Sequence, residues 1–185
     1  AKRHRHNPEF IDDAFETIEA MQNRLQNMLS QLTQKQSGNV QKKTVVMSRL
    51  LQQLLTERCA EHEPLPELEV IQDCELYIDH ERFSNVLFHL IDNAQPATAA
   101  DGSVRVRLNV QDETMVLQIT DSGCGMSPDF IKDRLFKPFD TTKGNAGMGI
   151  GAYDAQNFIQ QNQGQLTVFS EVNIGSTFTI QLPLH

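Results

Sequence analysis

The stretch that most restricts the fold is residues 121–149, which show neither helical nor strand periodicity and are rich in Gly, Asp, Thr and Pro. It starts directly after a strand-like segment with Asp121-Ser122-Gly123-Cys124-Gly125 and ends with GNAGMGIG, residues 144–151, where a helical pattern begins. A loop of this length inside a compact domain is uncommon and usually functional. Glycines before a helix allow backbone N–H groups and the helix dipole to face a phosphate. Either glycine cluster alone is also typical of ordinary turns, so the prediction of a site needs residues from elsewhere in the chain.

Strand and helix patterns surround this loop. Alternating apolar residues predict strands at 103–110, 115–120, 165–170 and 176–182. Asp79 is expected to cap a helix that carries Phe83, Val86, Leu87, Leu90 and Ile91 on one face. The remaining predicted elements are strands at 44–47, 68–72 and 75–78, a helix capped by Ser48 that runs to about Ala60, and a helix over 150–162 closed by Gly164. Strand pairs joined by turns, with only three helices, predict an α+β fold in which helices form one layer and a mixed, mainly antiparallel sheet the other.

The first 40 residues carry a different pattern. A helix-start signal at residues 7–9 is followed by a heptad whose apolar positions are Ile11, Ile18, Leu25 and Leu32, with Ala14, Met21 and Met28 three residues later. Such a stripe requires a partner surface. The helix packs either on its own domain or, as we favour, within an antiparallel hairpin that dimerises. The predicted domains are therefore 1–38, part of a dimerisation hairpin, and 42–185.

Two polar positions suggest nucleotide chemistry. Asp121, at a strand end, is suited to accept a hydrogen bond from an exocyclic amine such as that of adenine. His89 and Asn93 lie four residues apart on one helical face, opposite the apolar stripe, and an amide oxygen is a suitable ligand for Mg²⁺ that bridges phosphates. The ordinary alternative for Asn93 is a helix-ending residue before Pro96.

Residues 134–143, RLFKPFDTTK, lie between the two glycine clusters. Phe136 and Phe139 would anchor the loop on the core, and Lys143 and the threonine hydroxyls would reach a phosphate. Taken singly, these residues are also what any surface loop uses as anchors and solvated charge.

In this order and spacing, the elements resemble the ATP-binding domain of sensor histidine kinases, within the class that includes the Hsp90, gyrase B and mismatch-repair (MutL-like) ATPases. HLIDNA resembles the Asn box of that family, DSGCG its first glycine box, RLFKPFDTTK its Phe box, GMGIG its second glycine box and GSTF its last. The resemblance covers about residues 42–184 and implies a Bergerat-type ATP-binding fold. HLIDNAQ with FDTTKGNAGMGIGAYDAQ is most similar to the sensor kinases of PEP-CTERM exosortase systems.

The resemblance implies a role for each matching position. His89 and Asn93 would be the catalytic residues, with Asn93 coordinating Mg²⁺ on the ATP phosphates, and Asp121 would accept from the adenine amine with support from Thr177. Gly123 and Gly125 would admit the base. The other nucleotide contacts implied are Met126, Arg134, Phe136, Thr142, Lys143, Gly147, Met148 and Gly149.

Three positions depart from the family pattern. His89 stands where many members carry Asn or Glu, and Asn145 replaces the first glycine of the second box. Pro96 stands where a charged residue is common, and it is expected to end or kink its helix.

The family also implies a phosphoacceptor histidine, followed by an acidic residue, in the first hairpin helix. His4 and His6 are followed by Arg and Asn, so the acceptor is expected upstream of residue 1. The implied function is a histidine kinase that passes the γ-phosphoryl group of ATP to that histidine and on to a response regulator receiver domain, within a homodimer formed through the hairpin helices. The alternatives are a nucleotide-binding regulatory module without kinase activity and an anti-sigma-factor-type serine kinase, which would not need the heptad helix.

Charge and composition exclude other classes. Sixteen basic against 24 acidic residues give a net charge of −8, which argues against a general binder of nucleic acids or anionic membranes. No apolar run approaches the ~20 residues of a membrane span, and three scattered cysteines indicate a reducing compartment. A start without Met indicates a fragment, and we expect the cytoplasmic portion of a membrane-attached sensor.

Overall fold

A five-stranded sheet with helices on one face positions the candidate site. The computed structural model describes residues 41–138 and 150–184, all of which belong to one compact unit of the chain. The predicted heptad helix and residues 139–149 of the loop lie outside the described residues. The described strands are β1 Lys42–Val46, β2 Glu67–Val70, β3 Glu75–Asp79, β4 Val104–Gln111, β5 Thr114–Asp121, β6 Gln165–Glu171 and β7 Gly175–Pro183. The described helices are α1 Met47–Arg58, α2 His80–Ala97, α3 Pro128–Asp133 and α4 Gly151–Gln161.

The sheet has the strand order β2-β4-β5-β7-β6. β2 pairs with β4 in parallel, and the other three pairings are antiparallel. β1 and β3 form a separate antiparallel pair. The predicted mixed, mainly antiparallel sheet is therefore confirmed.

Strand alternation decides which face of the sheet each side chain occupies. One face is buried against α2 and α4, and Phe83 and Phe158 stack between these helices with ring centroids 5.8 Å apart. The other face is largely polar and carries ion pairs such as Arg107–Glu69, 3.0 Å. The buried face is formed by Val104, Val106, Leu108, Met115, Leu117, Ile119, Phe178, Ile180 and Leu182.

The N-terminus of α2 is capped as predicted, whereas that of α1 is not. Asp79 caps α2 as expected, because its side chain accepts from the backbone N–H of Arg82 at 3.1 Å. The predicted cap Ser48 is wrong: α1 starts at Met47, and the backbone N–H and hydroxyl of Ser48 both donate to the Asp73 carboxylate at 2.9 and 2.5 Å. A carboxylate is favoured there by the positive end of the helix dipole.

Two further details differ from the predicted elements. The long loop contains a fourth described helix, α3, whose cap Ser127 accepts from the N–H of Phe130 at 3.2 Å and whose first residue is Pro128. α2 passes through Pro96 and ends one residue later, at Ala97. A proline so close to the end costs a single intrahelical hydrogen bond. Within the described ranges, no helix is long and apolar enough to cross a membrane.

Candidate functional site

Asp121 ends β5 and is only 5% exposed. Its Oδ1 accepts hydrogen bonds from the backbone N–H groups of Gly123, at 2.9 Å, and Ser176, at 3.3 Å. Burial raises the pKa of the Asp121 carboxyl above its ordinary value, while these two bonds and the Ser176 side chain oppose that shift. The carboxyl group is thus held in one orientation at the strand end, as a hydrogen-bond acceptor.

Thr177 does not support Asp121, and this prediction is corrected by strand register. Asp121 is opposite Ser176, whereas Thr177 is opposite Thr120, and the two threonine hydroxyl oxygens are 3.1 Å apart. Because side chains alternate along a strand, Thr177 lies on the polar outer face. Ser176 is the residue beside the carboxylate, and the alternation in residues 176–182 was enough to find it.

Close contacts with the protein backbone explain why residues 123 and 125 are glycines. A Cβ on Gly123 would lie 2.4 Å from the carbonyl oxygen of Ala97, and one on Gly125, whose φ is +63°, would lie 2.0 Å from that of Glu171. These glycines allow the loop to approach the end of α2 and the β6–β7 hairpin, and the expectation that they also leave room for a base stays a prediction.

The described half of the loop is anchored to the domain. The backbone N–H of Met126 donates to Ser170 Oγ at 2.8 Å, and the Met126 and Phe136 side chains pack against the core. The anchoring predicted for Phe136 is confirmed. Arg134 is exposed, with its guanidinium 5.3 Å from the centre of the Phe130 ring.

His89 and Asn93 face the start of α4. A Cβ on Gly151 would lie 3.4 Å from His89 Cβ and 3.9 Å from Asn93 Nδ2. The ion pair between Arg82 and Asp154, 3.2 Å, holds the first turn of α4 on α2. Two predicted site residues on α2 therefore lie beside the N-terminus of the helix into which the glycine-rich loop leads, which is where an anion is favoured.

The His89 side chain is exposed at its surface, but neighbouring protein atoms partly desolvate the imidazole. This desolvation lowers the pKa of the imidazole below the ordinary value. Asp92 and Asp154 oppose this shift, and Arg58 reinforces it. The ring is neutral at pH 7 and can accept a proton.

The loop that follows Asp121 contacts the last turn of α2, the helix that carries His89 and Asn93. The carbonyl oxygen of Ala97 accepts from the backbone N–H of Cys124 at 2.9 Å, and Gly123 packs on the same residue. Ala97 is one helical turn after Asn93, so the loop that follows Asp121 rests on the end of the helix that carries Asn93. No local sequence pattern predicts this contact.

The remaining predicted contacts, Thr142, Lys143, Gly147, Met148 and Gly149, lie outside the described residues and stay predictions. In the described part of the chain, no group of three or more His, Cys, Asp and Glu side chains could hold a metal ion. The Asn93 amide oxygen is of the donor type that suits Mg²⁺, and its role as a ligand stays a prediction.

These features define a nucleotide-binding α/β sandwich with a strand-end aspartate, a polar helix face and a glycine-rich loop leading into a helix. The sequence model of the histidine kinase-, DNA gyrase B-, and HSP90-like ATPases matches residues 78–185, and the chain belongs to this family. The domain is the ATP-binding catalytic domain of sensor histidine kinases.

Its curated relatives are sensor kinases. The signal transduction histidine-protein kinase AtoS of Escherichia coli K12 is 35% identical over 108 residues, 58% of this chain and 17% of AtoS. The sensor histidine kinase ZraS of the same strain is 34% identical over 111 residues, 60% of this chain and 23% of ZraS. The chain thus spans about a fifth of the length of these relatives. The narrower resemblance to kinases of exosortase systems has no support among the relatives compared.

Solved structures confirm the Bergerat-type fold. The Acinetobacter baumannii histidine kinase AdeS has a TM-score of 0.70 at 22% identity, covering 97% of this chain and 86% of that one. Full-length ShkA in complex with AMPPNP has a TM-score of 0.66 at 21% identity, covering 78% of this chain and 31% of that one.

Proposed function

We propose that this domain binds Mg·ATP and transfers the γ-phosphoryl group to a histidine outside the described residues, for relay to a response regulator. The observation that carries the proposal is the buried Asp121 carboxylate, which Gly123 and Ser176 fix beside the end of the Asn93 helix. The names of the curated relatives and the nucleotide analogue in the ShkA structure support it.

The nucleotide would lie between the Asp121 loop and the start of α4. Asp121 would accept a hydrogen bond from the adenine amine, and Asn93 would hold Mg²⁺, which neutralises phosphate charge when bound. The glycines Gly147 and Gly149 would cradle phosphates, and Arg134, Thr142 and Lys143 would add donors. This division of labour suits phosphoryl transfer, which depends mainly on positioning and charge neutralisation.

The transfer step forms a bond between a ring nitrogen of the acceptor histidine and the γ-phosphorus. It breaks the bond from that phosphorus to the β–γ bridging oxygen, and ADP leaves. His89 is the described neutral base on the α2 face that adjoins α4, and it would accept or orient the proton of the incoming nucleophile.

The partners follow from the same proposal. A response regulator receiver domain would take the phosphoryl group from the histidine, and residues 1–38 would form part of a hairpin through which two copies dimerise. Any attachment to a membrane would use regions outside this chain.

The test is phosphohistidine formation. The chain is incubated with Mg²⁺, γ-labelled ATP and a polypeptide that carries the acceptor histidine, and acid-labile, base-stable label on that polypeptide is the expected result. A parallel reaction with Asp121→Asn should label more slowly. If ATP binds but label never reaches histidine, the domain is a nucleotide-binding regulatory module; label on serine would instead indicate a serine kinase.

A further inference from the structure

Gln95 is a buried polar residue in α2 that the proposed chemistry does not use. It is 1% exposed and lies two residues after Asn93. Its Nε2 donates to the backbone carbonyl oxygens of Cys59, at 3.0 Å, His62, at 2.6 Å, and Pro64, at 3.3 Å. One side-chain amide therefore binds three carbonyl groups of the loop between α1 and β2.

This arrangement is specific for an amide. A carboxamide nitrogen has two hydrogens, so three carbonyl oxygens share them. An apolar side chain in the same place would leave buried carbonyl groups without a donor, which destabilises the folded loop. The loop is consequently attached to α2 by Gln95 and not by apolar packing alone.

A second attachment lies on the other side of the site-bearing part of α2. The guanidinium of Arg58, the last residue of α1, lies 4.0 Å from the centre of the Phe88 ring, and its Nη1 donates to Asn85 Oδ1 at 2.9 Å. His89 and Asn93 are thus located between two points, near residues 85–88 and at residue 95, where the end of α1 and its loop hold α2.

Gln95 also belongs to the turn that carries the Asp121 loop. Ala97, two residues on, accepts from the backbone N–H of Cys124 and packs on Gly123. A shift of this turn would move Asn93 relative to Asp121, which the strands hold in place.

We propose that Gln95 is a positioning residue that fixes the last turn of α2, so that Asn93 and Asp121 bind one nucleotide together. The proposal rests on the assignment of Asn93 and Asp121 to nucleotide binding.

A double-mutant cycle tests it. Affinity for Mg·ADP is measured by titration calorimetry for the wild-type chain, Gln95→Met, Asn93→Ala and the double variant, at a temperature where unfolding curves show all four to be folded. We expect Gln95→Met to weaken binding about five- to tenfold in the wild-type background and less than about twofold in the Asn93→Ala background. Gln52→Met, on the exposed side of α1, is the matched control and should bind as the wild type does.

The outcomes separate the two claims. Equal losses from Gln95→Met in both backgrounds, or no loss in a folded Gln95→Met chain, would overturn the role of Gln95 and leave the nucleotide site intact. An Asn93→Ala chain that binds Mg·ADP normally would overturn the assignment of Asn93 and, with it, this proposal. If Gln95→Met does not fold, Gln95→Asn, which is one methylene shorter, replaces it in the same cycle with the same criteria.

Discussion

The backbone N–H of Ser176 donates to Oδ1 of Asp121 across the last paired residues of β5 and β7, at 3.3 Å. The Gly123 N–H donates to the same oxygen. Because these donors belong to a paired strand and to the turn that follows Asp121, the carboxylate is oriented by the sheet before any ligand arrives. Preorganisation of this kind reduces the entropy lost on binding.

Asp121→Asn should weaken adenine nucleotide binding by about ten- to a hundredfold while the domain stays folded. The two backbone donors would keep the amide oxygen in the Oδ1 position, so the amide NH₂ would face the adenine amine and two donors would meet. Titration calorimetry with ADP and Mg²⁺ measures the change. Thr177→Val, on the outer face of the sheet, is the control and should leave the affinity unchanged. Equal losses in the two variants would contradict the register argument.

Acidification should weaken binding and favour folding through the same carboxyl group. The native pKa of Asp121 is raised above 3.8, its unperturbed value. As the pH falls through the native pKa, the native state takes up the proton before the unfolded state does, so the contribution of Asp121 to stability rises. The protonated group accepts hydrogen bonds less well, and ADP affinity should fall over the same range. Calorimetry and thermal unfolding of wild type and Asp121→Asn, between about pH 4 and pH 7, would show both trends. A wild-type ADP affinity that does not change with pH would contradict the assignment of Asp121 to the adenine amine.

Local patterns predicted most of the described fold, and contacts between distant segments account for what they missed. Strand alternation and the Asp79 cap involve neighbours in sequence, so they were predicted correctly. The Ser127-Pro128 start of α3 was also local, but the glycine-rich composition around it concealed the short helix. Asp73 accepts a hydrogen bond from the backbone N–H of Ser48 at the start of α1, although the two residues are 25 positions apart in sequence. No local sequence pattern predicts such a contact.

The candidate site divides in the same way. The order of the motifs located Asp121 and Asn93. The alternation of side chains along β7 would have identified Ser176, in place of Thr177, as the neighbour of Asp121. By contrast, the Gln95 bonds and the support of the Asp121 loop by Ala97 depend on which loops meet at the end of α2. Only the folded arrangement shows them.

Gly125→Ala should destabilise the domain, whereas Gly151→Ala should not. At Gly125 the left-handed backbone costs a non-glycine residue about 1–3 kcal/mol, and the new Cβ would also lie 2.0 Å from the Glu171 carbonyl oxygen. At Gly151 the closest atom to a new Cβ is 3.4 Å away, and alanine favours a helix by up to ~1 kcal/mol. Urea unfolding of both variants gives the comparison. Equal stabilities would show that the hairpin adjusts to the extra methyl group without cost.

His89→Gln should slow phosphoryl transfer about a hundredfold or more while changing nucleotide affinity little. Glutamine keeps a polar side chain of similar reach next to the start of α4, but it cannot take a proton, whereas the imidazole is neutral and able to do so at pH 7. Single-turnover transfer from labelled ATP to the acceptor histidine measures the rate, and ADP titration of the same preparation measures binding. Asn93→Ala is the matched comparison, because it should reduce both quantities. A His89→Gln chain that transfers at the wild-type rate would show that the proton of the incoming nucleophile goes elsewhere.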